Sequence, residues 1–226
     1  MARSLSTTAY AIAIAAAFGA AGTAQAASAG DWIVRGGLTT VSPNEDTNGV
    51  DGELGAALTG TEVAVDSDTQ LGATVGYMIT DRFAVELLGA TPFTHDLSLD
   101  GGALDGADLA EIKHLPPTLS LQYHFDTGSA FRPYVGAGLN YTLFFSEDVD
   151  SDAKAAGVTD VELDDSVGLA AQLGVDYELG NRWLINADVR YLQIDTTAEV
   201  STATGSTDVD VDIDPWVYTI AVGYRF

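Results

Sequence analysis

The final stretch of the chain, Asp214-Pro215-Trp216-Val217-Tyr218-Thr219-Ile220-Ala221-Val222-Gly223-Tyr224-Arg225-Phe226, alternates with period two. Trp216, Tyr218, Ile220, Val222, Tyr224 and Phe226 form one apolar, aromatic face. Val217, Thr219, Ala221, Gly223 and Arg225 form a small or polar one. A soluble β-sandwich can bury such a strand, but a face that stays apolar to its last residue is hard to cover there. A transmembrane barrel turns that face to lipid and the other to its lumen.

The opposite end fits export. Arg3 is a positive start, residues 9–21 are a short Ala-rich apolar run, and Ala24-Gln25-Ala26 is an A-x-A site. This pattern predicts a signal peptide over residues 1–26, cleaved after Ala26. The run is short for a membrane helix, and it lacks the polar face of an amphipathic one. Residues 27–226 then form one domain. No cysteine is present, which excludes disulfides, thiolate metal sites and a cysteine nucleophile. With 33 acidic against 9 basic residues, the formal charge of −24 offers no footprint for nucleic acid.

Eight strand-like stretches follow: Trp32–Val41, Asp68–Met78, Phe83–Phe93, Ile112–Phe125, Phe131–Phe145, Asp165–Leu179, Trp183–Glu199 and Val211–Phe226. Thr80–Arg82, Asp126–Ala130 and Gly180–Arg182 are tight turns, whereas residues 42–67, 94–111, 146–164 and 200–210 are long, acidic connections. Short turns at one end and long loops at the other are the pattern of an outer-membrane barrel. The expected fold is all-β, an eight-stranded antiparallel transmembrane barrel. Trp32, Phe83, Tyr123, Phe125, Tyr177, Trp183, Trp216 and Tyr224 sit near strand ends, where interface girdles belong.

Alternation also assigns the lumen. Near the turn end, Arg35, Glu86, Asp176, Asp188, Arg190 and Arg225 point inward together with Gln122, His124, Glu178 and Asn186. Buried charges must be paired, and eight strands leave a lumen that side chains fill. These residues predict a salt-bridged plug, with Glu86, Asp176 and Asp188 meeting Arg35, Arg190 and Arg225. Above it, Leu88, Pro92, Pro116, Phe144, Leu192, Ile194, Val211, Ile213 and Val217 have inward parity, with Val209. They either line a chamber for a small hydrophobic guest or pack on one another.

Pro92, Pro116, Pro117 and Pro215 interrupt strand stretches, and proline removes a ladder donor. Each marks either a gap through which a guest can leave sideways or a strand end beyond the membrane. Asp208, Asp210, Asp212 and Asp214 share the outward face of one strand. They read as a solvated acidic extension or as oxygen ligands through which Ca²⁺ or Mg²⁺ bridges the wall to lipopolysaccharide. A bulge at Pro215 would turn them into the mouth instead. The histidines show no Ser-His-acid pattern: His95 is placed in a loop beside Asp96, His114 on a strand near Ser120, and His124 at the floor. No cofactor is expected.

Glu86-Leu87-Leu88-Gly89-Ala90-Thr91-Pro92-Phe93, His114-Leu115-Pro116-Pro117-Thr118-Leu119, Phe131-Arg132-Pro133-Tyr134 through Tyr141, Gly174-Val175-Asp176-Tyr177, Asp195-Thr196-Thr197-Ala198 and the strand ending in Gly223-Tyr224-Arg225-Phe226 together resemble the OmpW family of bacterial outer-membrane proteins, which includes an alkane-uptake member. The resemblance spans the chain after residue 26, least in the loops. It implies a hydrophobic channel closed toward the periplasm with a lateral exit in the wall. Phe226 resembles the terminal signal read by the barrel-assembly machinery. One departure stands out: many relatives carry an aromatic where this chain has Val167, which would loosen a constriction if that residue lines the channel. The leading expectation is passive uptake of small hydrophobic molecules across the outer membrane. The alternatives are a structural, stress-adaptive barrel with no guest and, last, an enzyme acting on lipid.

Overall fold

Eight antiparallel strands close on themselves in the computed structural model, which describes residues 27–44, 62–100, 106–155, 157–203 and 205–226. In chain order the elements are β1 (Trp32–Ser42), β2 (Glu62–Val65), β3 (Asp68–Met78), β4 (Phe83–Ala90), β5 (Phe93–Asp100), β6 (Asp108–Leu115), β7 (Thr118–His124) and β8 (Phe131–Val149). There follow α1 (Ser151–Ala155), β9 (Val158–Leu163), β10 (Ser166–Gly180), β11 (Trp183–Leu192), β12 (Asp195–Thr202), β13 (Gly205–Asp212) and β14 (Trp216–Arg225). The ring runs β1-β3-β4-β7-β8-β10-β11-β14, and β14 pairs back onto β1 from Ile33↔Arg225 to Ser42↔Trp216. The expected signal peptide lies outside the described residues.

The three tight turns fall where the sequence places them. At the last of them, Gly180, Asn181 and Arg182 all take positive φ, which keeps the reversal to a few residues. The long connections are not simple loops. The second holds most of β5 and β6, which with β2 and the outer part of β8 continue the wall outward; β9, β12 and β13 form a second extension. Their Asp-Val and Thr-rich pattern has no apolar face for lipid, so it reads as loop although it pairs as strand.

Alternation sorts side chains as expected along the ring. Leu71, Leu87, Leu119, Leu139, Leu169 and Ile220 are exposed, and Thr39, Thr74, Glu86, Ser120 and Gln172 face inward and are buried. At the turn end of this apolar belt, Trp32–Tyr77, Phe83–Tyr123, Trp183–Tyr224 and Tyr224–Phe226 pack ring on ring at 4.9 to 5.2 Å. Tyr191–Trp216 does the same at the outer rim, 5.3 Å apart. Val167 belongs to the belt. It is 71% exposed on the outside of β10, so its lack of an aromatic ring cannot widen the lumen.

The strand interruptions coincide with the prolines, and the two sides of the barrel differ. Between β4 and β7 the ladder ends at Leu88↔Thr118, and between β5 and β6 it resumes at Phe93↔His114. Thr91, Pro92, Pro116 and Pro117 lie in the interval; Thr91 N–H donates to Leu71 and Pro117 C=O accepts from Tyr141, both on the flanking strands. The seam between those segments is left unbridged because Pro92, Pro116 and Pro117 have no N–H to give. At Pro215 the outcome is the opposite. Leu192 N–H donates to the Pro215 carbonyl at 3.1 Å and Ile213 N–H to Ile194 at 3.0 Å, so that seam is stitched.

The break at residues 91–92 also shifts parity. Leu88 and Phe93 both turn inward, five residues apart, and Pro92 is exposed. Pro92 therefore does not line the lumen, and Phe93 takes the place given to it. Pro116 keeps its parity and is buried.

Replacing the outward Leu139 by Arg puts a charge into the lipid-facing belt and should cost about 2–4 kcal/mol if the site lies near the bilayer midplane. Denaturant titration of the protein refolded in lipid vesicles checks this; unchanged stability would contradict the lipid-facing assignment.

Candidate functional site

Inside the ring, a charged floor lies beneath an apolar layer. Arg35 projects inward from β1, flanked by the outward Val34, and reaches two other strands. Its Nη1 donates to Glu86 Oε2 at 2.6 Å, and its Nε and Nη2 donate to the two carboxylate oxygens of Asp176 at 3.0 and 2.5 Å. Arg190 Nη2 donates to Glu86 Oε1 at 2.6 Å and its Nε to Asp188 Oδ1 at 2.7 Å. Two guanidiniums thus meet three carboxylates, and Glu86 is shared between both cations. All five are buried.

Neutral groups add further hydrogen bonds to the layer, although Arg190 Nη1 is buried without a partner. Gln172 Nε2 donates to Asp188 at 2.7 Å and to Glu86 at 3.1 Å. Tyr134 hydroxyl donates to Asp188 at 3.1 Å and accepts from Asn186 at 2.9 Å; Asn186 also donates to Asp176 at 2.8 Å. The Tyr134 ring stacks on His124 and carries the Arg35 guanidinium above it. It fits because β10 has Gly174 at that point: a Cβ there would come within 2.3 Å of the ring. Charge-assisted bonds this dense hold the layer rigid.

Five of the six plug residues named from sequence meet here: Arg35, Glu86, Asp176, Asp188 and Arg190. Arg225 does not join them. It lies one tier lower, donating to Glu178 at 3.0 Å with Asp31 at 3.7 Å, and Arg132 shares that Glu178 at 3.0 Å. The misplacement comes from strand tilt, because equal parity fixes the face but not the height. Tyr134, Gln172 and Arg132 were missed, though each has inward parity between outward Phe131, Val135 and Leu173.

Over the floor, Val41, Phe93, Ala170, Leu192, Ile194, Ile213 and Val217 form one buried apolar cluster, with Ala90, Phe144 and Val211 packed on it. Leu88 is buried beside the charged layer on β4. Eight of the nine expected channel residues are thus inward or partly buried, with Pro92 the exception. The side chains of the cluster contact one another across the lumen.

At the rim, Asp208, Asp210 and Asp212 are exposed on β13, as first read, and no bulge at Pro215 turns them inward. Asp214 is different. With φ at +37°, it accepts from Tyr191 hydroxyl at 2.6 Å and from Ile194 N–H at 3.1 Å, locking the stitched seam. Both its oxygens accept a hydrogen bond within the seam, which sets it apart from the three exposed aspartates. Among the described residues no three acidic or histidine side chains come close enough to chelate an ion. His95 is not in a loop; it lies on β5, inward, against His114.

This arrangement matches a known architecture. The family model described as "OmpW family" aligns with residues 28–226. The chain belongs to the OmpW family. It is 49% identical over 199 residues to outer membrane protein W of Vibrio cholerae, covering 87% of this chain and 89% of that one. The crystal structure of the outer membrane protein OprG from Pseudomonas aeruginosa superposes with a TM-score of 0.80 at 50% identity, over 88% of this chain and 97% of that one. The structure of outer membrane protein AlkL in lipid bilayers superposes at 0.68 with 27% identity, over 92% and 94%. This OmpW-family chain is an eight-stranded barrel of the bacterial outer membrane.

Truncating Glu86 to Ala strands two buried guanidiniums. The expected loss is about 3–5 kcal/mol, read as a lower denaturation midpoint in vesicles. Glu86→Gln, which keeps shape and one acceptor, should lose less. Equal loss from both would mean that packing, not charge, holds the floor.

Proposed function

We propose that the barrel admits small hydrophobic molecules from the cell surface and releases them sideways into the membrane. The carrying observation is the adjacency of three features. An apolar cluster sits on a charged floor, beside the unbridged seam between Leu88↔Thr118 and Phe93↔His114. The floor refuses an apolar solute, because advancing through it would strip paired charges of their partners. Among the described residues no backbone hydrogen bond stitches this seam. A guest parts Phe93, Phe144 and their neighbours, occupies the apolar layer and leaves past Pro92 and Pro116. Its own partitioning drives the step, so neither cofactor nor energy source is needed. The likeness to AlkL, in the family whose resemblance implies hydrophobic uptake, supports the same reading.

We read the protein as a channel and not an enzyme, since its lumen histidines contact aromatic rings, Gln122 and a backbone carbonyl and form no nucleophile-base pair among the described residues. A second reading has an observation of its own. The apolar side chains already contact one another, as they would in a structural barrel with no guest.

Uptake of radiolabelled medium-chain alkane by cells lacking the protein, with and without the chain restored, separates the two. Restoration should raise uptake severalfold. Leu192→Asp with Ile194→Asp should abolish that gain while the barrel still folds, as judged by heat-modifiable gel mobility. If the folded unsubstituted barrel leaves uptake at the deletion level, the structural reading is favoured.

A further inference from the structure

Two histidines face the apolar layer from the outer wall. The ladder that resumes beyond Pro92 pairs Phe93 with His114 and His95 with Ile112. The break at residues 91–92 turns His95 of β5 inward, and His114 is inward by the unbroken alternation of β6; the two residues are only 4% and 3% exposed. Their centroids are 4.9 Å apart. Phe93 and Phe144 present ring contacts to His114 at 5.7 and 5.8 Å. In this aromatic niche both Nε2 atoms are buried and have no hydrogen-bond partner.

The chemistry of His95 is fixed by its other nitrogen. Nδ1 lies 2.5 Å from the Asp66 carbonyl oxygen, which can only accept. The Nδ1 position therefore carries the proton, and in the neutral ring Nε2 presents a lone pair. His114 can present Nε2–H beside it. The nearby Asp68 carboxylate is taken by Thr69 N–H, Gln70 Nε2 and Thr94 N–H at 2.6, 2.8 and 2.9 Å, so it does not serve either ring.

We infer that the His95–His114 pair is a recognition site for a hydroxyl group, and that the guests include apolar molecules carrying one alcohol or phenol function. Such a hydroxyl donates to His95 Nε2 and accepts from His114 Nε2–H. Its hydrocarbon part lies on Phe93, Phe144 and the apolar cluster. A plain alkane leaves both nitrogens unpaired, and unpaired buried polar atoms are costly. A cation is disfavoured, since no third acidic or histidine side chain completes a metal site among the described residues. This inference rests on the channel reading for its physiological sense, but its test does not.

The test uses the full barrel in lipid nanodiscs with ¹⁵N-labelled histidine. Adding 1-octanol should move the Nε2 resonances of both rings, and n-octane should not. His95→Phe with His114→Phe should weaken 1-octanol binding by about thirtyfold, the worth of two hydrogen bonds, and leave n-octane binding unchanged. Equal responses to the two ligands, no response to either, or a shift with Zn²⁺ alone would overturn the assignment. The wild-type arm needs no variant to fold. If octane uptake by cells is not restored while the octanol shifts are seen, the channel reading falls and the hydroxyl site stands. If uptake is restored and the shifts are missing, the reverse holds.

Discussion

Backbone polarity is the constraint from which the rest follows. In hydrocarbon no water answers an N–H or C=O, so a strand can cross only where each group meets a neighbouring strand. The β1–β14 pairing, ten residues long, removes the last free edge. Closure at eight strands then fixes the bore, and a bore this narrow is filled by side chains. Everything inside is consequently a packing problem. Small residues appear where something bulky must lie flat, as Gly174 does under Tyr134.

Against that rule, an unstitched interval at Pro92, Pro116 and Pro117 is an exception with a location. The barrel has the same kind of interruption near Pro215 and repairs it with two backbone bonds and the Asp214 carboxylate. Two chemically similar breaks, one mended and one open, leave a weak sector in the wall on the side of Pro92 and Pro116. That sector adjoins the apolar layer and the histidine pair, which is why the guest, its resting place and its way out form one coherent reading.

Much of this was legible in the sequence. Alternation with period two sorted lipid from lumen for nearly every ring residue, because a closed ladder leaves side chains no third direction. Mixed charges of inward parity named six residues, and five of them form the floor. What the sequence hid has physical causes. Strand tilt separates parity from height, which moved Arg225 down to Glu178. A two-residue break reverses parity, which exchanged Pro92 for Phe93 and carried His95 from a presumed loop into the lumen. The extension built from β9, β12 and β13 turns no apolar face outward, so the lipid-facing signal of a membrane strand is missing from it. Asp214 stood in a row of like residues, and only its backbone conformation singles it out.

The floor also has a temporal meaning. Arg35 belongs to the first strand, yet its partners Glu86 and Asp176 lie 51 and 141 residues further along the chain. Arg190 draws on Glu86 across 104 residues. No fragment of the chain can assemble this layer. In a half-zipped sheet these groups remain hydrated and cost nothing, and only when the last strand meets the first are they dehydrated and paired together. Closing the ring and sealing the lumen are therefore coupled, because the charges that fill the bore meet their partners only across strands that closure brings together.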